Sequence, residues 1–129
     1  MRKTLTKGIA TLAVLTLLAQ PQFALARAAA LPSAVGQCGE TAITTIGYRL
    51  ENPDSGSVVQ YANGLIQISY DVIAEIHRSR VGDKVKICLV SIPQNCPPGN
   101  DRGKIYRATN LRSGESWEAP DSQHSCGGA

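Results

Sequence analysis

The sequence predicts an all-β fold: a small meander or barrel of six or seven short strands, stapled by two disulfides. Short runs rich in β-branched residues alternate between apolar and polar side chains, and clusters of Gly, Pro, Asn and Asp separate them. Four cysteines follow a segment with the pattern of an export signal, which indicates a disulfide framework in a small secreted domain. Beyond that segment, no stretch has the length and period of a convincing long helix.

The first 30 residues have the pattern of a cleaved secretory signal peptide. Three basic residues precede an uncharged, mostly apolar run at 8–19, and small residues then offer cleavage after Ala26 or Ala30. The sequence Gln-Pro-Gln at 20–22 interrupts the run, whereas a membrane anchor needs about 20 apolar residues. Residues 31–129 are therefore predicted to be a single disulfide-linked β domain, periplasmic or secreted.

The basic balance of the chain belongs to that signal segment. The full chain carries 13 Lys and Arg against 10 Asp and Glu, a formal charge of +3. Cleavage after Ala26 removes three basic residues and leaves zero, and cleavage after Ala30 also removes Arg27 and leaves −1. A domain without basic excess lacks the electrostatic footprint of a nucleic-acid or membrane-surface protein. We expect no nucleic-acid partner and no stable membrane anchor after cleavage.

The longest alternating stretch is LIQISYDVIAEIH at 65–77. Ile66, Ile68 and Tyr70 begin an apolar face, with Leu65 and Gln67 on the other, mostly polar face, so a long half-buried strand is favoured. A short helix over the second half, capped by the aspartate at position 71, is the competing interpretation.

The remaining strands are predicted at 40–51, 57–61, 84–93, 104–110 and 115–119. Asn63-Gly64 is typical of a two-residue type I′ turn between strand 57–61 and the long strand. Gly47 is a candidate bulge in the first strand. The last half of 84–93 is apolar on both faces, which predicts a central strand.

Four cysteines allow three disulfide pairings. We favour Cys88–Cys96, which closes a short loop, together with Cys38–Cys126, which ties the two ends of the domain. A metal site at Cys126 and His124 would lack any C-x-x-C spacing. The sequence predicts no metal and no other cofactor.

The two histidines, His77 and His124, are the basis for a hydrolase alternative, but no catalytic residue is predicted. Asp121, Ser122 and His124 have the residue types of a catalytic triad, but they share one irregular segment and no G-x-S-x-G turn is present. We expect Asp121 and Ser122 to bond local backbone and His124 to pack beside a disulfide. His77 and Glu75 would point the same way on a strand, as an acid–base pair or, as favoured, a surface ion pair.

A rigid binding surface is better motivated than an active site. The loop at 94–103 contains two consecutive prolines and a cysteine, which lowers the ordering cost of recognition. Asp101, Arg102, Arg112 and Trp117 are the candidate ligand-binding residues. Asp101 and Arg102 could bind a carboxylate or a sugar, or equally pair with each other. Aromatic residues and arginines are enriched at interface hot spots. Core packing is the favoured alternative for Trp117. The expected partner is a protein or glycan of the cell envelope.

The stretches CLVSIPQNCPPGNDRGKIYRATNLRSGESW, from Cys88 to Trp117, and PDSQHSCGGA, from Pro120 to Ala129, resemble a family of small exported, four-cysteine proteobacterial proteins of uncharacterised function. These residues cover about a third of the chain. The resemblance brings no activity with it. The plan of signal peptide, small β-barrel and disulfide is also similar to that of periplasmic lysozyme inhibitors, at the level of fold alone.

The sequence thus favours a small exported binding module of the bacterial envelope, with inhibition of an envelope-directed enzyme as one form of that function. A small secreted hydrolase using His124 or His77 is the first alternative. A structural envelope protein without a discrete ligand is the second.

Overall fold

The computed structural model describes Gly8 and residues 30–128, so the predicted signal peptide lies almost wholly outside the described residues. The domain has six strands, one short helix and a 3-10 turn at Arg49–Glu51, which confirms the all-β prediction. Among the described residues, no helix has the length and apolar character that crossing a membrane requires. The elements in chain order are β1 (Cys38–Tyr48), β2 (Ser57–Tyr61), β3 (Ile66–Ser69), α1 (Ala74–Arg78), β4 (Lys84–Ser91), β5 (Ile105–Asn110) and β6 (Ser116–Pro120).

The strands form one antiparallel sheet in the order β3-β2-β1-β4-β5-β6, curled into a half-barrel. β1 is shared by both halves of the sheet: residues 38–42 pair with β4, and most of the remainder pairs with β2. The register shifts between Ile43 and Thr45, so the bulge lies at Thr44. The predicted bulge at Gly47 is wrong, because Gly47 pairs regularly with Val58. β4 is central in the sheet, as predicted.

The stretch 65–77 is a short strand followed by a helix, so the favoured long strand is wrong. β3 ends at Ser69, whose hydroxyl accepts a hydrogen bond from the Asp71 backbone N–H at 3.0 Å and turns the chain. The residue that precedes α1 is Ile73, and Asp71 does not cap the helix. The Ile73 backbone N–H instead donates to the buried Ser57 hydroxyl at 2.8 Å. A partner distant in sequence therefore takes the place of a local cap.

The two faces of β3 are the reverse of the prediction. Leu65 and Gln67 lie in the core, whereas Ile66 and Tyr70 are exposed. Gln67 can be buried because every polar atom of its amide has a partner, which removes the usual cost of burying such a group. A polar residue therefore holds the position that alternation alone assigned to solvent.

The Gln67 amide connects β3 to the opposite side of the half-barrel. Its Oε1 accepts from the Tyr61 hydroxyl at 2.6 Å and from Trp117 Nε1 at 3.0 Å. Its Nε2 donates to the carbonyl oxygens of Tyr106 at 2.7 Å and Ala119 at 3.0 Å. Burial raises the pKa of the Tyr61 phenol, and hydrogen bonding with Trp117 lowers this pKa by a smaller amount. The edge strands β3 and β6 are thus joined through side chains.

The hairpin between β2 and β3 contains three residues, at 62–64. The Tyr61 backbone N–H donates to the Leu65 carbonyl at 3.0 Å and closes the loop. Gly64 has φ +90, whereas Asn63 does not have the positive φ that a type I′ turn requires at both central positions. The turn is at the predicted place, but its predicted type is wrong.

Both disulfides are present, with a pairing different from the favoured one. Cys38 and Cys88 are register partners on β1 and β4 and are bonded to each other. Cys96 and Cys126 link the loop after β4 to the tail after β6. Because β4 continues beyond Cys88 to Ser91, it carries the chain away from that cysteine before Cys96 is reached. The predicted Cys88–Cys96 and Cys38–Cys126 bonds are therefore wrong.

The core lies inside the curl of the sheet, and α1 covers one side with Ile76. Trp117 belongs to this core at 5% exposure. The buried apolar cluster consists of Ile43, Val59, Tyr61, Leu65, Ile76, Val85, Ile87, Leu89, Tyr106, Ala108 and Trp117.

Candidate binding surface

Each of the four predicted ligand-binding residues contacts a different part of the domain. Trp117 is in the core, bonded to Gln67. Asp101 pairs with Lys104 at 2.5 Å, and the Arg102 carbonyl accepts from the Cys126 backbone N–H at 2.8 Å. The fourth, Arg112, is bound to a carboxylate. The hydrogen bonds and ion pairs of these residues thus involve different partners in different parts of the domain.

The partner of Arg112 is Asp83, in the loop between α1 and β4. Arg112 Nε and Nη2 donate to the two Asp83 carboxylate oxygens at 2.8 and 2.9 Å. The Asn110 amide donates to the same carboxylate at 2.8 Å and to the Ser79 hydroxyl at 2.9 Å. The Arg112 and then the Asn110 hydrogen bonds hold the pKa of Asp83 well below its ordinary value. This network fixes the loop at 79–83 to the β5–β6 turn and uses the arginine as a structural group.

The side chains of Asp121 and Ser122 bond to backbone groups, not to the side chains of the other tail residues. The Ser122 hydroxyl donates to the His124 main-chain carbonyl at 2.7 Å. The Asp121 carboxylate accepts from the Gly103 backbone N–H at 2.7 Å. The imidazole of His124 is thus not hydrogen-bonded to the hydroxyl that it would have to activate.

His77 lies in α1 and is held by a buried serine that sequence reasoning did not single out. Its Nε2 is 2.9 Å from the Ser57 hydroxyl, and its ring stacks on Tyr48 with centroids 4.2 Å apart. Burial lowers the pKa of His77. Glu75 does not face His77, because residues two apart on a helix point in different directions. Glu75 pairs instead with Arg78, three residues further on, at 3.4 Å. Ser57 is fully buried, so a substrate has no access to it in this conformation.

An exposed apolar surface lies where β1 and β3 end. Its members are Tyr48, Leu50, Tyr70 and Val72, with Arg49 among them; we call it the Leu50 surface. Leu50 is 71% exposed and Tyr70 is 55% exposed. The Arg49 guanidinium lies over the Tyr70 ring, 4.3 Å from its centroid, and joins the two segments. In the sequence, the members of this surface lie in two separate segments, at 48–50 and 70–72. The two segments meet because β3 ends at Ser69, which the alternating pattern does not predict.

Hydrogen bonds tie Arg49 to a turn that packs on the end of β3. Arg49 Nε donates to the Ser55 carbonyl at 2.7 Å, and the Arg49 backbone N–H donates to the Gly56 carbonyl at 3.0 Å. Gly56 has φ +114, and a Cβ there would lie 2.0 Å from the Ser69 carbonyl oxygen. Only glycine permits the turn at 52–56 to pack so closely on the end of β3.

The turn that projects Leu50 has an uncommon backbone. Leu50 has φ 56 and the next residue, Glu51, has φ 53. Consecutive non-glycine residues in the left-handed region are disfavoured, by roughly 1–2 kcal/mol each. Such conformations persist where the surrounding structure imposes them, and they cluster at functional sites. Here they place a large apolar side chain in solvent.

Three exposed carboxylates lie next to members of the Leu50 surface along the chain. Glu51, Asp54 and Asp71 are all exposed, and within the part of the chain that the structure describes none of them forms an ion pair. The one guanidinium here, that of Arg49, lies over an aromatic ring and bonds to main-chain and amide oxygens. The surface therefore has an apolar centre and a negative margin.

Residues 30–128 contain no group of three or more His, Cys, Asp or Glu side chains placed to hold a metal ion. Comparison with protein-family models, curated proteins and solved structures finds no match to the chain. The fold and the surface together define a class: a disulfide-linked all-β half-barrel that presents an exposed apolar surface.

Proposed function

We propose that the chain is a small exported binding module of the bacterial envelope that recognises a protein through the Leu50 surface. The observation that carries the proposal is Leu50 itself, a large apolar side chain held 71% exposed by a disfavoured backbone. A solvent-facing leucine in such a conformation gives the isolated domain no evident stability.

The composition of the surface favours a protein partner over a glycan. Tyrosine and arginine are enriched among the residues that dominate protein–protein binding energy, and Tyr70 and Arg49 lie in contact here. The surface is also preorganised, because Gly56 and the Arg49 hydrogen bonds fix its two segments. Less ordering is then needed on association.

Inhibition of an envelope-directed enzyme is the finer form of this proposal, since a projecting apolar turn on a rigid scaffold can occlude a cleft. A periplasmic or secreted location is supported by the two disulfides, which persist in oxidising compartments. The export pattern at residues 1–30 supports the same location.

The experiment is affinity capture from envelope extract with the immobilised, oxidised domain at 31–129. The test variant combines Leu50→Ala with Tyr70→Ala, and the control is Val35→Ala, which removes an apolar side chain of similar exposure (60%) elsewhere. We expect specific proteins to be retained by the wild type and by the control, and lost from the test variant. Retention of the same proteins by all three would contradict the proposal. Retention of nothing specific by the wild type would favour a structural envelope protein.

The hydrolase alternative is tested separately with His77→Ala and His124→Ala. The geometry gives this alternative little support, because the hydroxyl that contacts His77 is buried and His124 lacks a bonded hydroxyl at its ring. A hydrolytic activity in the purified wild type, lost from either folded variant, would replace the binding proposal.

A further inference from the structure

A second exposed apolar surface carries the opposite charge. Val81 is 65% exposed and Leu111 is 47% exposed, with the exposed cations Arg80 and Lys84 beside them. The Leu111 backbone N–H donates to the Lys84 carbonyl at 2.9 Å and brings the β5–β6 turn against the start of β4. We call these four residues the Val81 surface.

The Asp83 network links the two segments that carry the Val81 surface. Asp83 accepts from the Arg80 backbone N–H at 2.9 Å and from the Arg112 guanidinium. Arg112 Nη2 also donates to the Arg78 carbonyl at 3.4 Å. The loop that carries Val81 is thus tied to the turn that carries Leu111 by hydrogen bonds, of which those to the Asp83 carboxylate are half-buried.

The two surfaces lie towards opposite ends of the second half of β1. The Gly82 backbone N–H donates to the Ile43 carbonyl at 2.8 Å, so the Val81 loop sits at Ile43. The Leu50 surface begins at Tyr48. Five residue steps along β1 separate Ile43 from Tyr48, a distance of roughly 16 Å in an extended strand. The two surfaces are thus at different positions on one molecule, and a second molecule can bring one surface of each kind together.

We propose that the Leu50 surface binds the Val81 surface of a second copy of this chain, head to tail. The proposal rests on the proposed function, because it uses the same binding surface and names its partner. Each surface has an apolar centre, and the carboxylates of Glu51, Asp54 and Asp71 meet the cations of Arg80 and Lys84. Complementary charge around an apolar centre fixes orientation and excludes like surfaces.

The charge balance of the domain permits self-association. Four of the 13 basic residues precede position 30, which leaves nine basic against ten acidic side chains in the described domain. Proteins with little net charge do not repel copies of themselves, and association is favoured near zero net charge.

The contact is heterologous, so it leaves one surface of each kind unoccupied in a dimer and extends to a ring or a filament. Each surface is small, and interfaces below about 1,200 Å² are typical of weak, transient association. Its ionic part is screened by salt, because the Debye length falls to about 3 Å at 1 M. We therefore expect association that depends on both protein concentration and ionic strength.

The experiment is sedimentation velocity on the purified, oxidised domain over a range of concentrations, at low salt and at about 1 M salt. The acid-reversed variant carries Glu51→Lys, Asp54→Lys and Asp71→Lys. The base-reversed variant carries Arg80→Glu and Lys84→Glu. The control carries Lys86→Glu and Arg107→Glu, the same change in net charge as the base-reversed variant but on the outer face of β4 and β5. All these side chains are exposed, and circular dichroism checks that each variant is folded.

We expect the wild type and the control to associate at low salt and to dissociate at high salt, and each reversed variant to be monomeric alone. Mixing the two reversed variants restores association, because the base-reversed protein keeps its acidic surface and the acid-reversed protein keeps its basic surface. A wild type that stays monomeric at every concentration overturns self-association. Association that survives in a folded reversed variant, or that mixing fails to restore, also overturns it.

These outcomes are separable from those of the proposed function. A monomeric wild type that still captures another protein through Leu50 and Tyr70 overturns self-association and leaves the binding proposal standing. Association that is unaffected by Leu50→Ala with Tyr70→Ala, together with unchanged capture, overturns both.

Discussion

Replacing Gln67 by Met should destabilise the domain more than a volume-conserving substitution in a core usually does, which is by less than about 1.5 kcal/mol. Gln67 is fully buried, and both atoms of its amide are fully engaged. Met has nearly the same length and volume, so a large cavity is not created. The substitution instead removes the acceptor for two buried donors, the Tyr61 hydroxyl and Trp117 Nε1.

The magnitude follows from those two donors. A buried donor left without an acceptor costs about 1–3 kcal/mol, so two cost about 2–6 kcal/mol. The carbonyl oxygens of Tyr106 and Ala119 lose one contact each, and the added apolar burial of Met offsets part of the loss. A value near 3 kcal/mol is a large share of the roughly 5–15 kcal/mol typical of a domain. It should lower Tm by roughly 12–24 °C.

Urea unfolding of the oxidised protein measures this loss. Trp117 is the single tryptophan of the chain and lies in the network, so its fluorescence reports the transition. The control is Gln60→Met on β2, a glutamine that is half-buried on the outer face; we expect a change within about 0.5 kcal/mol there. Adding Tyr61→Phe to Gln67→Met should recover about 1 kcal/mol, since it deletes one stranded hydroxyl. A Gln67→Met variant within about 1 kcal/mol of the wild type would refute the reasoning.

Three further perturbations have defined outcomes. Burial lowers the pKa of His77 on folding, so the unfolded chain binds the proton more readily. The unfolding free energy should therefore fall as pH decreases below about 6.5. His77→Gln should make this pH dependence weaker, as measured by urea midpoints at several pH values. The Arg112 hydrogen bond lowers the pKa of Asp83, so the stabilisation from Asp83 is present above the ordinary pKa of 3.8 and is lost as pH falls below that value. Asp83→Asn should lower the unfolding free energy at neutral pH, and the variant should lose less stability in acid than the wild type, by the same assay. Replacing Cys96 and Cys126 by Ser should lower the unfolding free energy by about 2–4 kcal/mol, and limited proteolysis should then cut the loop at 92–104 while the strands stay intact; an uncut loop would contradict the role given to this disulfide.

The positions of the strands could be predicted because each satisfies a local rule. β2 is bounded by turn residues and has the predicted limits, and β4, β5 and β6 differ from the prediction by a residue or two at their ends. The turn chemistry around Gly64 and Gly114 is also visible in sequence, since both have positive φ. Local pattern was enough wherever an element is defined by its own residues and its nearest turn.

The facing of β3 could not be predicted, because it is decided by contacts far away in sequence. Alternation places Ile66 and Tyr70 inside, yet Gln67 is inside because Tyr61, Trp117 and two carbonyl groups satisfy it. The same applies to the start of α1, where the distant Ser57 takes the place of a local cap. The Leu50 surface depends on both features, so it was not visible from the sequence.

The disulfide pairing was missed for a related reason. Loop length favours Cys88–Cys96, but the pairing is set by the register of β1 on β4, where Cys38 lies opposite Cys88. Nothing in the spacing of the cysteines encodes that register. The register can be worked out only when it is known that β1 changes its partner strand at Thr44.

The partner change of β1 explains how both exposed surfaces are attached to one continuous sheet although the domain is small. Before Thr44, β1 belongs to the half of the sheet formed with β4, β5 and β6, and that half is tied to it by Cys38–Cys88. After Thr44 it belongs to the half formed with β2 and β3. The two halves are therefore joined through the bend in β1 on one side and through the Gln67 amide on the other. Removing the Gln67 contacts should loosen the second connection, so a Gln67→Met domain that remains folded should also associate and capture partners less well, although neither exposed surface has been altered.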